Sequence, residues 1–144
     1  LRGILFGALH PLSSGTSHSA QYAVAGVMKA VNDGTYNYRD DVLEYGKKAK
    51  MMKDAFTSNG FKFTYDEDLG EPIADGFYFT YYYPGFTGAE LLEKMLYYGI
   101  SAISLDTCGS TRQGIRACTS LIQRDEIPVL AERLRRFAED HPIE

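Results

Sequence analysis

Residues 77–83 of the chain read FYFTYYY, an aromatic stretch interrupted only by Thr80. Aromatic side chains suit the pleated surface of a sheet, whereas in a helix they lose much of their rotamer freedom. Pro84 and Gly85 follow directly and break regular backbone structure. The stretch therefore predicts a β-strand that ends at Tyr83.

Downstream of this strand, the sequence predicts a helix and a pair of strands. Residues 87–90, TGAE, form a capping box, in which the hydroxyl and the carboxylate satisfy free amides at a helix start. Gly99 ends that helix. Residues 100–105 and 113–119 then read as two short strands joined by a loop, and an antiparallel pair fits them.

A final helix is predicted from Asp125, with Pro128 in its first turn, where backbone amides are unpaired in any case. Its apolar residues recur on one face and predict its buried side: Ile127, Leu130, Leu134 and Phe137.

Upstream of the aromatic strand lies the clearest helical period in the sequence. Its apolar residues recur at steps of three and four: Val42, Tyr45, Ala49, Met52 and Phe56. Lys48 and the neighbouring lysines fall mostly off this stripe. Asn59 and Gly60 end the helix, residues 61–65 read as a strand, and residues 66–75 read as a loop.

The N-terminal region is the least regular part of the sequence. Residues 1–7, LRGILFG, read as an apolar core strand cut from a longer protein, so we expect a fragment. Residues 11–19 follow as a polar loop, whose hydroxyls can accept hydrogen bonds from the free amides of the next helix. That helix should begin near Ser17, and Gly34 should help to end it.

The element order is therefore helix, helix, strand, strand, helix, strand, strand, helix. This order predicts an α+β fold with an antiparallel or mixed sheet of about four strands and helices packed on one face. A chain of 144 residues is long enough to build one hydrophobic core of this kind.

Composition narrows the classes of function. A formal net charge of −4 leaves no excess of basic residues to neutralise nucleic-acid phosphates, so nucleic acid is not an expected partner. No apolar run approaches the ~18 residues of a membrane span. Cys108 and Cys118 form no CxxC pair and have no histidine at metal-ligand spacing, so we expect reduced thiols in a cytoplasmic protein without a metal site.

Arg116 is the first candidate for chemistry. Residues 114–118, GIRAC, place a guanidinium within an otherwise apolar strand. Its planar fork matches a carboxylate bidentately, an interaction worth roughly 1.5 to 3 kcal/mol when well formed. The alternative is that Arg116 leaves the open face of the sheet and pairs with a surface acid. The hydroxyls of residues 13–19 are a second candidate, an anion site at a helix start, against which stands plain helix capping.

Taken in order, these motifs resemble the C-terminal small domain of class I/II aminotransferases, in the fold-type I pyridoxal-phosphate-dependent family. Residues 96–100, LYYGI, are similar to the family's helix, glycine and short strand, and residues 114–116, GIR, to its glycine-aliphatic-arginine strand. Residues 127–134, IPVLAERL, resemble its closing helix, and residues 17–21, SHSAQ, the start of its interdomain helix. The resemblance covers nearly the whole chain. It implies an interdomain segment and linker helix over residues 1–34 and a small domain over residues 35–144.

The resemblance also implies a site. By position, Arg116 matches the arginine that binds the α-carboxylate of the amino-acid substrate, and Arg112 is the runner-up. The family usually has a proline-glycine and an aromatic residue before the arginine strand, whereas residues 105–109 read LDTCG, which leaves the substrate class open. The cofactor lysine of the family follows a serine-rich strand turn, and no lysine of this chain has that context: Lys29, Lys47, Lys48, Lys50, Lys53, Lys62 and Lys94.

We therefore expect pyridoxal phosphate in the intact enzyme, bound by an upstream large domain, and none bound to this chain. The chain alone should be inactive, because transamination needs that lysine. Amino-acid and keto-acid substrates and a homodimer of the intact enzyme follow from the same resemblance. Two other hypotheses stay open: a stand-alone α+β ligand-binding or regulatory module in which Arg116 binds an anion, and the same domain in another pyridoxal-phosphate enzyme or regulator.

Overall fold

The computed structural model of the chain describes residues 1–4, 7–8, 10–13, 15–73 and 76–143. They form two compact units, Leu1–Asp41 and Val42–Glu144. The predicted division between residues 34 and 35 rests on the aminotransferase resemblance and stays a prediction.

The first unit is helical. It contains α1 (Arg2–Ile4), α2 (His10–Ser13) and α3 (His18–Asn32). The predicted helix near Ser17 is confirmed as α3, and Gly34 follows it with φ +71°, the left-handed conformation that glycine adopts without strain. No side chain of α1 or α3 is buried.

Two predictions for this unit were wrong. The core strand expected over residues 1–7 is a helical turn at Arg2–Ile4, with Leu1 92% and Ile4 65% exposed, and residues 5 and 6 lie outside the described ranges. A strand needs a neighbour to satisfy its backbone, whereas a helical turn satisfies it locally. The polar loop over residues 11–19 is interrupted by α2, which continues to Ser13.

The second unit contains most of α4 and an antiparallel sheet. Its elements in chain order are α4 (Tyr38–Thr57), β1 (Lys62–Phe63), β2 (Glu67–Asp68), β3 (Glu71–Pro72), β4 (Tyr78–Tyr82), α5 (Gly88–Tyr97), β5 (Ile103–Ser104), β6 (Ile115–Cys118) and α6 (Ile127–Asp140). A single 3₁₀ turn at Arg124–Glu126 leads into α6.

The main sheet has the strand order β1-β4-β6-β5, and every neighbouring pair is antiparallel. Helices pack against it, so the predicted α+β class with about four strands is confirmed. The aromatic stretch forms β4, which pairs with both β1 and β6. The capping box is also confirmed, because Thr87 Oγ1 accepts from the Glu90 amide at 3.3 Å and Glu90 Oε2 accepts from the Thr87 amide at 2.9 Å.

The core lies between the sheet and α4, α5 and α6. Tyr81 of β4 stacks on Phe56 of α4 with ring centroids 4.2 Å apart, and both side chains are buried. Leu134 and Phe137 of α6 are fully buried, as predicted, whereas Leu130 is half-buried.

Three further details differ from the sequence predictions. Within the predicted loop 66–75, the described residues form a hairpin of β2 and β3, whose turn has Leu69 at φ 52° and Gly70 at φ 81°. The strand predicted over residues 100–105 is shorter, because β5 contains only Ile103 and Ser104. The predicted start of the last helix at Asp125 is a 3₁₀ turn. Among the helices of the described ranges, none has both the length and the apolar character that crossing a bilayer requires.

Candidate functional site

The two faces of the sheet carry different side chains, because successive residues of a strand point to opposite faces. In β6, Ile115 and Ala117 are buried towards the helices, whereas Arg116 and Cys118 alternate with them on the other face and are half-buried. Thr80 and Ile103 lie directly opposite Arg116 on the neighbouring strands, so they share its face. We call this side the open face of the sheet.

Arg116 lies on this open face without an acidic partner in the described ranges. Its guanidinium carbon is 4.5 Å from the centre of the Tyr78 ring, a cation–π arrangement. Stacking occupies the face of the guanidinium and leaves its in-plane N–H groups available to a ligand. The surface acid expected by the alternative interpretation of Arg116 is not found among these residues.

Arg116 also lines a groove of about 580 Å³ together with Ile103 of the edge strand β5. The rest of the lining is mainly apolar, and it includes Phe56 and Ala117 from the helix-covered side as well as Leu121 and Val129. A groove of this size, with an apolar lining and few polar groups, has the character of a small-molecule site.

The other two charged residues that line the groove already have partners. Arg133 Nη1 donates to the Gly99 carbonyl at 2.6 Å, and Glu126 Oε2 accepts from the Gln123 amide at 2.7 Å. Arg133 uses one of its five N–H groups in this way, whereas the guanidinium of Arg116 makes a ring contact and no hydrogen bond to the described residues.

Arg112, the runner-up, is held by the protein itself. Its Nη1 donates to the Thr64 carbonyl at 2.7 Å, and its guanidinium lies 4.6 Å from the centre of the Tyr65 ring. The side chain thereby ties the loop before β6 to the segment after β1. This geometry favours Arg116 over Arg112 as the candidate ligand-binding residue.

Cys118 lies beside Arg116 on the open face, with its Sγ 3.0 Å from Ser120 Oγ. Burial raises the pKa of the Cys118 thiol, but hydrogen bonds from Ser120 and Leu121 and the charge of Arg116 outweigh that effect, so its pKa lies below the usual value. Both cysteines are free thiols.

Pyridoxal phosphate needs a lysine amine within reach of its binding pocket. The lysines of α4 were expected to fall mostly off its apolar stripe, but Lys48 is buried. Its Nζ donates to the Ile122 carbonyl at 2.9 Å and the Ser120 carbonyl at 3.4 Å. No lysine lines the groove with Arg116 within the described ranges. The described residues therefore do not fit the cofactor.

Of the predicted capping hydroxyls, that of Ser14 lies outside the described ranges, and that of Ser17 does not form the predicted cap. Ser17 makes no side-chain hydrogen bond to the amides of α3, and its Oγ lies 2.8 Å from Ser19 Oγ instead. Gln21 reaches back to the Thr16 carbonyl at 3.0 Å. Within the described ranges there is likewise no group of three or more potential metal ligands.

No protein-family model matches the chain, and comparison with curated proteins finds no match. The aminotransferase resemblance therefore stays a prediction. Sequence reasoning missed Tyr78 and Ile103 as neighbours of Arg116, and only the strand register reveals them. Ile115 and Ala117 flank Arg116 as apolar neighbours in the sequence, but the sequence does not indicate which residues of the adjacent strands lie opposite Arg116.

Proposed function

We propose that the chain is the C-terminal small domain of a pyridoxal-phosphate-dependent aminotransferase, in which Arg116 binds the α-carboxylate of the amino-acid or keto-acid substrate. The observation that carries the proposal is the state of Arg116. Its guanidinium lies stacked on Tyr78, without an acidic partner in the described ranges, and the same residue lines a mainly apolar groove.

Arg116 is suited to a carboxylate for two reasons. First, Tyr78 restricts the guanidinium, so less rotamer entropy is lost when a ligand binds. Second, the apolar groove lowers the local exposure to water, which strengthens a charge-assisted hydrogen bond. A bidentate pair of this kind contributes roughly 1.5 to 3 kcal/mol.

The described residues do not fit the cofactor. Pyridoxal phosphate and its lysine therefore belong to a separate large domain of the proposed intact enzyme. The chain contributes carboxylate binding and closure over the substrate, and by itself it is inactive. A homodimer of the intact enzyme belongs to the same proposal.

The experiment uses the full-length protein and measures substrate and cofactor affinity. Arg116→Ala should raise the KM for the amino acid by roughly tenfold to a hundredfold, as expected for the loss of 1.5 to 3 kcal/mol. Affinity for pyridoxal phosphate should not change. Arg116→Lys should recover part of the loss, because an ammonium keeps the charge but not the fork.

Arg124→Ala is the matched control, since Arg124 only pairs with Glu44 at the surface, 3.2 Å away. Equal effects of Arg116→Ala on substrate and cofactor affinity, or no effect on either, would retire the proposal. Carboxylate binding at Arg116 with no binding of pyridoxal phosphate would instead support the stand-alone ligand-binding module. The hydrogen bond from Lys48 Nζ to the Ile122 carbonyl favours that alternative, because it occupies the amine of this lysine.

A further inference from the structure

We infer that Arg112 binds a second anionic group of the ligand whose first carboxylate Arg116 holds, so that the substrate class is a short dicarboxylate. This inference rests on the proposed carboxylate site and adds its substrate class. It is argued from the contacts that bring Arg112 and Arg116 to one side of the sheet.

Arg112 and Arg116 lie at the two ends of a row of residues across the sheet. The Thr64 amide donates to the Thr80 carbonyl at 3.0 Å, and Thr80 lies directly opposite Arg116. Arg112 Nη1 donates to the carbonyl of the same Thr64 at 2.7 Å. Two strand spacings, about 10 Å, therefore separate the backbone group that holds Arg112 from Arg116.

Each of the two guanidinium groups is stacked on a tyrosine ring. Arg112 lies 4.6 Å from the centre of the Tyr65 ring, whose hydroxyl is 2.6 Å from Ser110 Oγ, and Arg116 lies 4.5 Å from the centre of the Tyr78 ring. Arg112 uses one of its five N–H groups on the protein, and neither arginine forms an ion pair with a described acidic residue. Both side chains are thus held in place and still have donors for a ligand.

The two tyrosine rings line one cavity of about 300 Å³, together with Thr80. The Tyr65 amide donates to Thr80 Oγ1 at 3.1 Å, which ties the segment after β1 to β4. Lys53 and Asp66 also line the cavity, and their opposite charges offset each other. A ligand in this cavity therefore reaches both rings on which the arginines stack, and the two arginines supply the net positive charge.

The length of the row favours a short dicarboxylate over a single anion. A guanidinium carbon and the carbon of a paired carboxylate lie about 4 Å apart, and the end carbons of an extended five-carbon chain lie about 5 Å apart. An arginine at each end of such a dicarboxylate gives a total of about 13 Å, which is enough to cover the row. A single phosphate between two guanidinium groups covers only about 8 Å.

Arg133 is the alternative partner for the second carboxylate. It lines the apolar groove with Arg116, and its Nη1 donates to the Gly99 carbonyl. Gly99 precedes β5, which lies on the opposite side of β6 from Thr80. Arg112 and Arg133 thus lie on different sides of Arg116, and substituting each in turn distinguishes them.

The experiment is a ¹H–¹⁵N NMR titration of the full chain with 2-oxoglutarate and with 2-oxopentanoate, which has the same carbon chain but lacks the second carboxylate. At equal ionic strength we expect 2-oxoglutarate to bind about tenfold more tightly, a difference equivalent to 1.4 kcal/mol. Both compounds should shift the Arg116 amide, and 2-oxoglutarate alone should also shift the amides of Ser110 and Arg112. This comparison uses the unaltered chain, so it does not depend on the folding of a variant.

Variants identify the arginine that causes the preference. Arg112→Gln removes the charge but keeps a donor for the Thr64 carbonyl, so it should bind both compounds equally and 2-oxopentanoate as tightly as the wild type does. Arg112→Lys keeps the charge and should recover part of the preference. Arg133→Ala is the matched control and should keep the tenfold preference. A preference that is lost in Arg133→Ala and kept in Arg112→Gln would overturn the assignment of Arg112.

The two levels of the proposal fail differently. Equal or tighter binding of 2-oxopentanoate to the wild-type chain overturns the substrate class and leaves carboxylate binding by Arg116 intact. Tighter binding of inorganic phosphate than of 2-oxoglutarate also overturns the substrate class, in favour of a single anion between the arginines. If none of these compounds shifts the Arg116 amide, the carboxylate site itself is overturned.

Discussion

The two faces of one sheet differ in almost every property. On the helix-covered face, Ile115 and Tyr81 are fully buried and pack within the aromatic and aliphatic core. On the open face, Tyr78 is 54% exposed and Arg116 lacks an acidic partner in the described ranges. The same four-residue strand β6 contributes to both faces. Side chains that pack in the core thus alternate along one strand with the proposed ligand-binding side chain, so substitutions one residue apart should affect different properties of the protein.

The largest expected effect comes from Ile115→Ala on the covered face. Ile115 has no exposed surface, and its truncation should lower the free energy of unfolding by about 2 to 5 kcal/mol, through lost burial and a residual cavity. Denaturant unfolding followed by circular dichroism measures this. Arg116→Ala, one residue along the same strand, is the control and should change stability far less. Equal losses for the two variants would contradict the assignment of the faces.

Gly114→Ala should have the next largest effect, at the residue that precedes β6. Its φ is +140°, and an added Cβ would lie 2.5 Å from the Tyr81 carbonyl oxygen and 2.7 Å from Thr64 Oγ1. We expect a loss of about 2 to 4 kcal/mol from backbone strain and overpacking together.

Gly109→Ala is the matched control for Gly114→Ala. Gly109 also has a positive φ, +82°, but an added Cβ would meet nothing within 4 Å. Only the backbone cost of about 1 to 2 kcal/mol should remain. Similar losses at Gly109 and Gly114 in denaturant unfolding would show that close contact with Tyr81 is not what restricts Gly114.

A smaller effect, of opposite sign, is expected at Tyr81. Its hydroxyl is buried and has no hydrogen-bond partner among the described residues, which is unfavourable in a core. Tyr81→Phe keeps the stacking on Phe56 and should raise the free energy of unfolding by about 1 kcal/mol. A loss of stability on this substitution would indicate that the hydroxyl has a partner in solution, such as a buried water.

The same hydroxyl predicts a pH dependence. Burial raises the pKa of Tyr81 above the usual value of 10.0. Above pH 10 the unfolded chain therefore loses this proton while the folded chain keeps it, so the unfolded state binds fewer protons and stability falls as pH rises. Tyr81→Phe should make this alkaline loss shallower in unfolding curves measured between pH 8 and about pH 11. An unchanged slope would contradict the burial of the hydroxyl.

The smallest effect on stability is expected at Tyr78 on the open face. Tyr78→Leu removes the ring that stacks on the Arg116 guanidinium and should cost about 0.5 to 1 kcal/mol of stability. It should also weaken the binding of the amino-acid substrate at Arg116 severalfold, because the guanidinium is then less restricted. Tyr78→Phe keeps the ring and is expected to behave like the wild type in both measurements. Equal binding by Tyr78→Leu and Tyr78→Phe would rule out a positioning role for the ring.

The sequence indicates much of the difference between the two faces of the sheet. The features that it does not indicate were missed for physical reasons. The alternation of Ile115, Arg116 and Ala117 indicates opposite faces, and the box of Thr87 and Glu90 fixes a helix start, because both signals are local. The hairpin of β2 and β3 escaped prediction since two-residue strands are too short to show alternation.

The neighbours of the site depend on contacts between distant parts of the chain. Ile103 faces Arg116 only because of the register between β5 and β6, which a sequence pattern does not specify to the residue. The lysines of α4 were expected to fall mostly off its apolar stripe, but Lys48 lies three residues after Tyr45 and four before Met52 and is buried on their face. The carbonyls that bury it belong to residues 120 and 122, far along the chain.

The side chain of Lys48 holds the segment of the chain that follows β6. After β6, the carbonyls of Ser120 and Ile122 accept from a side-chain ammonium, not from a neighbouring strand. A buried side chain thus anchors the segment that carries Leu121, which lines the groove. Acetylation of Lys48 would remove that anchor's charge and two of its donors, and so would reshape the wall without touching Arg116.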